Sequence, residues 1–191
     1  MNDDATSLRH QLLIAMPQLD DPNFHQTVTW IFEHNADGAM GVIVNRPMDV
    51  TMGELLEQLD IDSGGRDLSA HQVVYGGPVQ ASRGFVLHRT DPALPRWKHC
   101  AQLEGGITLA TSKDILEAIA AGTGPRASLV ALGYAGWDAG QLEDELRDNA
   151  WLAAPLDPAI LFDLPFAQRW FAAARSIGVD LTLISQQPGH A

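Results

Sequence analysis

The region that most constrains the fold is residues 26–45, where two strand-like segments flank a turn. Val28, Trp30 and Phe32 occupy alternate positions of the first segment, QTVTWIFEH, which is the period of a half-buried strand. The next four residues, NADG, have the composition of a tight turn, and the following AMGVIVN predicts the returning strand. We therefore expect this hairpin to lie within the main sheet.

The rest of the chain alternates predicted strands and helices. A helix is expected from Thr51 to Ile61, because Thr51 and Glu54 have the spacing of a capping box. The nearly continuous apolar run Ser128–Tyr134 predicts a central strand that is covered on both faces. The remaining strands are expected at Val73–Tyr75, Phe85–His88, Ile107–Ala110 and Ala159–Phe162, and the remaining helices at 112–121, 140–149 and 165–177.

These elements predict the fold class and the domain organisation. Hairpins with interspersed helices indicate one compact α/β (α+β) domain with a mainly antiparallel sheet. The 191 residues fit a single domain, and residues 1–10 are expected to form a flexible tail. At the start of the helix in 140–149, Asp138 is the expected cap with Gln141 as its partner, and Glu143 is placed to pair with Arg147.

Charge and composition narrow the function classes. The formal net charge is −12, which disfavours direct binding to nucleic acid, because nucleic acid is itself a polyanion. No apolar run approaches the roughly 20 residues that cross a bilayer, and the acidic N-terminus does not match a signal peptide. The single cysteine, Cys100, fits a reducing, cytoplasmic setting; it is either a packing side chain or a nucleophile, and packing is favoured.

The sequence VVYGGPVQ raises the question of a phosphate-binding loop at Gly76 and Gly77. Such a loop directs consecutive backbone N–H groups at the anion, commonly from a helix N-terminus. Pro78 has no N–H group, and the residues after it do not predict a helix. A structural turn, or a close approach of another backbone segment, is therefore the favoured interpretation.

Polar side chains near the strand ends are the remaining candidates. His34 and His88 end predicted strands, where they are either hydrogen-bonded structural residues or acid–base groups. Arg46 follows the hairpin, where its guanidinium is suited either to an anionic ligand or to an internal ion pair. The seven histidines do not have metal-site spacing, and no cofactor motif is present. One segment has a local excess of basic residues: Arg83, Arg89, Arg96 and Lys98. These side chains either bind an acidic ligand or partner, or belong to a solvated loop.

Several motifs together resemble the YqgE/AlgH family of bacterial proteins. They include LIAMPQLDDPNFHQTV, FEHNADGAMGVIVNRP, YGGPV with RGFVLH, TSKDILEAIA, LGYAGWDAGQLEDELRDNAWL, ILFD with RW, and the terminal GHA. The resemblance implies a bent sheet closed into a partial barrel, with helices around it, in a cytoplasmic protein. Some members of the family are described as transcriptional regulators, although its biochemical activity is largely unassigned. Many relatives have cysteine where this chain has Phe32, so packing is the interpretation of that position here.

The leading hypothesis is a non-catalytic regulatory or binding protein that contacts a protein partner or a small anionic ligand. Its predicted cleft combines residues of the hairpin with the glycine turn and the strand after it: His34, Asn45, Arg46, Gly76, Gly77 and His88. The alternative is a hydrolase-type enzyme that uses His34 or His88 as an acid or base.

Overall fold

The computed structural model describes residues 7–184, which form nine strands and six helices. The strands are β1 (Gln11–Ala15), β2 (Val28–Asn35), β3 (Gly38–Ile43), β4 (His71–Tyr75), β5 (Val79–Arg89), β6 (Cys100–Leu103), β7 (Ile107–Ala110), β8 (Ser128–Asp138) and β9 (Trp151–Pro155). The helices are α1 (Met52–Gln58), α2 (Lys113–Ala121), α3 (Gln141–Arg147), α4 (Pro158–Phe162), α5 (Phe166–Ser176) and α6 (Leu181–Ile184).

All strands belong to one sheet with the order β6-β7-β5-β8-β3-β2-β1-β9, and β4 also pairs with β8. The β4–β8 pair is parallel, and the other pairs within the described chain are antiparallel. The predicted hairpin is confirmed as β2 and β3, with Trp30 opposite Val42 and His34 opposite Ala39. The fold is therefore a mixed α/β domain with a mainly antiparallel sheet, as expected.

Strand β8 is the centre of this sheet, and it is bent. Its first half pairs with β4 and β5, whereas Ala135–Asp138 pairs with β3. Gly133 lies at the change of partner with a φ of 76°, a conformation that glycine adopts without steric cost. The curl brings the turn after β6 against Leu156, since a Cβ on Gly105 would lie 2.8 Å from Leu156 Cδ2. The partial barrel implied by the family resemblance is thus present.

Three clusters of buried side chains hold the helices on this sheet. One lies under α4 and α5 and contains Trp30 and Trp170. A second lies between the sheet and helices α1 and α2 and contains Leu56. The third lies under α3 and contains Trp137. Phe32 is 8% exposed and packs beside Trp30, so its interpretation as a packing residue is confirmed.

The helix expected from Thr51 to Ile61 is confirmed as α1, although it ends at Gln58. Thr51 and Glu54 form the expected capping box at the start of α1. Helix α3 lies where it was predicted, but its N-cap is Gly140 rather than Asp138, and the cap has no side-chain hydrogen bond. Asp138 does donate its backbone N–H to Gln141 Oε1 at 3.0 Å.

Two further expectations are wrong. Arg147 forms its ion pair with Asp144, whereas the Glu143 carboxylate contacts His34. The strand expected at Ala159–Phe162 is helix α4, because Asp157 accepts the Ala159 N–H and Pro158 occupies the first turn, where its fixed φ favours a helix.

Three strands were missed, and both termini extend outside the described residues. The missed strands are β1, β6 and β9, which are only four or five residues long. Residues 1–6 of the predicted flexible tail lie outside the described residues, as does the terminal GHA motif. Leu8 and His10 are held by their backbone N–H groups, which donate to His34 Nδ1 and to the Ile31 carbonyl. None of the helices in residues 7–184 has the length and apolar character needed to span a bilayer.

Candidate functional site

The six residues of the predicted cleft fall in different parts of the sheet. His34 lies at the turn end of the β2–β3 hairpin, whereas Asn45 and Arg46 follow the other end of β3. His34 pairs with Ala39, so about six residues of strand, or roughly 20 Å, separate it from Asn45. Gly76 is near Asn45, since the Ile43 N–H donates to the Gly76 carbonyl at 2.8 Å. The structure therefore groups Asn45, Arg46 and the glycines, and it places His34 apart from them.

Asn45 connects the end of β3 to the beginning of β2. Its Oδ1 accepts the Val28 N–H at 2.8 Å, and its Nδ2 donates to the Gln26 carbonyl at 2.9 Å. These two bonds continue the hairpin ladder beyond the last paired residues. Both ends of the side-chain amide are thus hydrogen-bonded to the backbone at and just before the start of β2.

Arg46 has neither of the two partners expected from the sequence. Its Nη1 donates to the carbonyls of Pro22 and Asn23, both at 2.9 Å, and its Nη2 donates to the carbonyl of His25 at 3.1 Å. The guanidinium therefore fixes the loop before β2 against the end of β3. Three of its N–H groups are already used by the chain itself.

Gly76 and Gly77 are held against the backbone of β8. A Cβ on Gly76 would lie 2.3 Å from the Gly133 carbonyl oxygen, and one on Gly77 would lie 2.2 Å from the Tyr134 carbonyl carbon. The Gly76 N–H donates to the Leu132 carbonyl at 2.8 Å. The structure answers the question raised by the sequence YGGPV: these glycines permit a close approach of two backbone segments.

Both predicted histidines are engaged at both ring nitrogens. His88 is 2% exposed; its Nδ1–H donates to the Arg89 carbonyl at 2.8 Å, and its Nε2 accepts the indole N–H of Trp97 at 3.4 Å. Burial of the ring lowers the pKa of His88 from its usual value. His34 Nδ1 accepts the Leu8 N–H at 3.0 Å, so its Nε2 carries the proton that is donated to Glu143 at 2.8 Å.

Two arginines of the basic segment and the cysteine also have partners. Arg89 pairs with Asp163 at 2.6 Å, and the Arg83 guanidinium lies over the Phe85 ring at 5.1 Å. Cys100 is half-buried, with its Sγ 3.2 Å from the Trp97 carbonyl oxygen. No cluster of three or more His, Cys, Asp or Glu side chains in residues 7–184 is arranged to hold a metal ion.

A groove that the sequence did not predict lies between the loop before β4 and the loop before β8. Its volume is about 420 Å³, and its lining includes Arg66, His71 and Arg126. Within the described chain neither Arg66 nor Arg126 has a hydrogen bond or ion pair from its guanidinium. The Arg66 guanidinium lies against the end of α2, since a Cβ on Gly122 would be 2.6 Å from Arg66 Nη1. Two cationic groups are therefore available at the surface of this groove.

The other titratable groups of the groove reduce this charge without removing it. The Asp67 carboxylate accepts the Ser69 N–H at 2.9 Å, and this bond holds the pKa of Asp67 below its usual range. His71 Nδ1 lies 2.8 Å from Ser128 Oγ, and burial lowers the pKa of this half-buried ring. At neutral pH His71 is neutral, and the two arginines outnumber Asp67.

A second groove of about 470 Å³ adjoins the first and shares Arg66, Asp67, Leu68 and His71 with it. Its apolar lining comes from the residues after β3, from α1, from β4 and from the first residue of α5: Pro47, Met48, Val50, Met52, Val73 and Phe166.

A buried cation lies behind this second groove. Arg169 is 0% exposed, and its Nη2 donates to Gln72 Oε1 at 2.9 Å while its Cζ lies 4.2 Å from the Phe166 ring centroid. Gln72 and Phe166 both line the groove. Burial lowers the pKa of Arg169 to about 10, so the side chain stays protonated at pH 7. Its partners are neutral, including the carbonyls of Val44 and Leu164, and its charge therefore adds to the positive potential of the groove.

The parallel pairing of β4 and β8 explains how Arg66 and Arg126 meet. His71 is in register with Ser128, so the chain segments that precede these two residues lie side by side. Arg66 precedes β4 by five residues and Arg126 precedes β8 by two. Each arginine follows a glycine-containing turn, in GGR and GPR, but a parallel pairing had to be recognised before these turns indicated a common site.

Comparison with known proteins gives a consistent result over nearly the whole chain. The AlgH-like family model matches residues 12–182. The UPF0301 protein AlgH of Pseudomonas aeruginosa is 54% identical over 97% of each chain, and a UPF0301 protein of Alcanivorax borkumensis is 51% identical over 100% of each.

Two solved structures share the fold. The solution structure of AlgH from Pseudomonas aeruginosa superposes with a TM-score of 0.75 at 51% identity over 100% of both chains. A crystal structure of a Corynebacterium diphtheriae protein gives a TM-score of 0.71 at 19% identity, covering 98% of this chain and 95% of that one; at this identity it shows the common fold alone. The chain therefore belongs to the AlgH-like family.

Proposed function

We propose that this protein is a non-catalytic binding protein that responds to a small anionic ligand, and that any regulatory role follows from occupation of the groove between Arg66 and Arg126. The observation that carries the proposal is a pair of guanidinium groups in one groove that have no hydrogen-bond or ion-pair partner among residues 7–184. Guanidinium groups bind carboxylates and phosphates through two parallel hydrogen bonds.

The charge of the whole chain limits how such a ligand can bind. With a net charge of −12, the surroundings disfavour anions in general, so binding depends on local donors rather than on a diffuse attraction. The same acidity argues against direct contact with DNA, and any effect on transcription is proposed to be indirect. The proposed setting is the cytoplasm, with which the free Cys100 is compatible.

Calorimetric titration with inorganic phosphate at constant ionic strength tests the proposal. Arg66→Gln and Arg126→Gln are each expected to weaken binding about tenfold, because each removes a charge-assisted contact. Arg96→Gln is the matched control, since Arg96 is exposed and lies outside both grooves, and it should bind as the wild type does. Absence of phosphate binding, or equal weakening by Arg96→Gln and Arg66→Gln, would contradict the proposal.

A further inference from the structure

We infer that the ligand is a small amphiphilic anion, an aryl or alkyl phosphate or carboxylate, whose charged group binds between Arg66 and Arg126 and whose apolar part occupies the adjoining groove. This inference rests on the proposed function and names the chemical class of its ligand. The two grooves meet at Arg66 and His71, so one molecule can reach both.

The second groove has the properties of a site for an apolar group. Its volume of about 470 Å³ falls within the range of small-molecule sites, roughly 300–1,000 Å³. Methionine side chains adapt to ligands of different shape, and two of them line this groove, Met48 and Met52. Met48 is 37% exposed although its backbone is fixed by a hydrogen bond to Val73, so this apolar side chain is held at the groove.

Arg169 makes the apolar groove selective for an anion. Its guanidinium is buried behind Phe166 and Gln72 and has no carboxylate partner among the described residues. A buried charge acts over a longer range than an exposed one, because less water screens it. A ligand with a positive group in this groove would face Arg66 and the buried Arg169, whereas a ligand with a negative group at Arg66 is attracted by both.

We expect this amphiphilic ligand to be a free molecule rather than a membrane lipid. A chain with a net charge of −12 is repelled by an anionic bilayer surface. Wild-type protein is therefore expected to remain in the supernatant when vesicles of phosphatidylglycerol and phosphatidylcholine are sedimented. Sedimentation with the vesicles that is lost in Arg66→Gln would overturn the choice of a free molecule.

Two ligands of equal charge separate this inference from the proposed function. Methyl phosphate presents the anionic group with little apolar surface, and phenyl phosphate adds a ring. Because a ring buries a large apolar area, phenyl phosphate is expected to bind at least about tenfold more tightly. Equal affinities would overturn the amphiphile inference and leave the anion proposal intact, whereas binding of neither ligand would overturn both.

A pair of matched variants locates the apolar part. Met48 and Leu59 are both 37% exposed, but only Met48 lines the second groove. Met48→Gln is expected to reduce the affinity ratio of phenyl to methyl phosphate about threefold, while Leu59→Gln leaves it unchanged. Neither variant should alter the affinity for methyl phosphate by more than about twofold, since the charged contact is retained. A ratio that is unchanged in Met48→Gln would place the ring elsewhere and overturn the assignment of this groove.

Discussion

Arg46 follows a strand end and Arg66 follows a turn, but the two guanidinium groups differ in how many of their N–H donors the chain itself uses. Arg46 directs three N–H donors at the carbonyls of Pro22, Asn23 and His25. Arg66 lies against the end of α2 without a hydrogen bond or ion pair from its guanidinium in the described part of the chain. A guanidinium that stabilises the fold and one that is free for a ligand thus look alike in the sequence. The partners of the side chain distinguish them.

The comparison extends to the backbone around each arginine. The region of Arg46 is closed, because the neighbouring glycines approach β8 too closely for any side chain. The region of Arg66 is open and forms a groove. The closed region should therefore respond to substitution with a loss of stability, and the open region with a loss of binding.

The largest effect on stability is expected for Gly77→Val. The new Cβ would lie 2.2 Å from the Tyr134 carbonyl carbon, and the φ of 151° is unfavourable for valine. The variant should lose about 4 kcal/mol or more of unfolding free energy, measured by urea denaturation. Gly136→Ala is the control on β8, where the nearest atom to a Cβ is 3.6 Å away; a similar loss in both variants would contradict close packing as the cause.

Arg46→Ala is expected to lower the free energy of unfolding by about 2 kcal/mol, because three carbonyls lose a charged donor. Phosphate affinity should stay within about twofold of the wild type, since the groove between Arg66 and Arg126 contains neither Arg46 nor its partners. Urea denaturation and calorimetric titration measure the two quantities. Unchanged stability together with lost phosphate binding would reverse the roles assigned to the two arginines.

The buried His88 predicts a smaller effect that depends on pH. The unfolded ring takes up a proton near its ordinary pKa of about 6.5, whereas burial holds the pKa of the folded ring lower. Above pH 6.5 the group adds no pH dependence; as the pH falls below that value, the free energy of unfolding decreases. Urea denaturation between pH 7.5 and 5 should give a shallower decrease for His88→Gln than for the wild type. An equally steep decrease would show that this ring does not contribute.

Arg66→Gln is expected to have the smallest effect on stability, within about 0.5 kcal/mol, because the exposed side chain has no hydrogen bond or ion pair to lose within residues 7–184. The same urea measurement applies. A loss as large as that of Arg46→Ala would indicate that Arg66 serves the fold and would weaken its assignment to a ligand.

Local signals in the sequence predicted much of the fold. The alternation of Val28, Trp30 and Phe32 and the capping box of Thr51 and Glu54 depend on neighbours within one or two turns of chain, and both were confirmed. The strand expected at Ala159–Phe162 failed because Asp157 and Pro158 provide a helix start that outweighs a short apolar run. Strands β1 and β9 were missed because each is only five residues long, and because β9 pairs with β1 across about 140 residues, which no local pattern records.

The candidate site depends still more on distant pairing. Arg66 and Arg126 line one groove because β4 and β8 pair in parallel, and Arg169 of α5 lies behind the adjoining groove. The sequence indicated Arg46 because it follows the most readily recognised hairpin. It did not reveal that the carbonyls of a preceding loop would occupy that guanidinium.

Nuclear magnetic resonance of the arginine Nε–Hε groups during a titration with inorganic phosphate tests the central claim most directly. Signals are assigned through Arg46→Gln, Arg66→Gln and Arg126→Gln, each of which removes one signal. We predict that the Arg66 and Arg126 signals shift together and saturate, while the Arg46 signal stays in place. A saturating shift of the Arg46 signal with Arg66 and Arg126 unmoved would contradict the account.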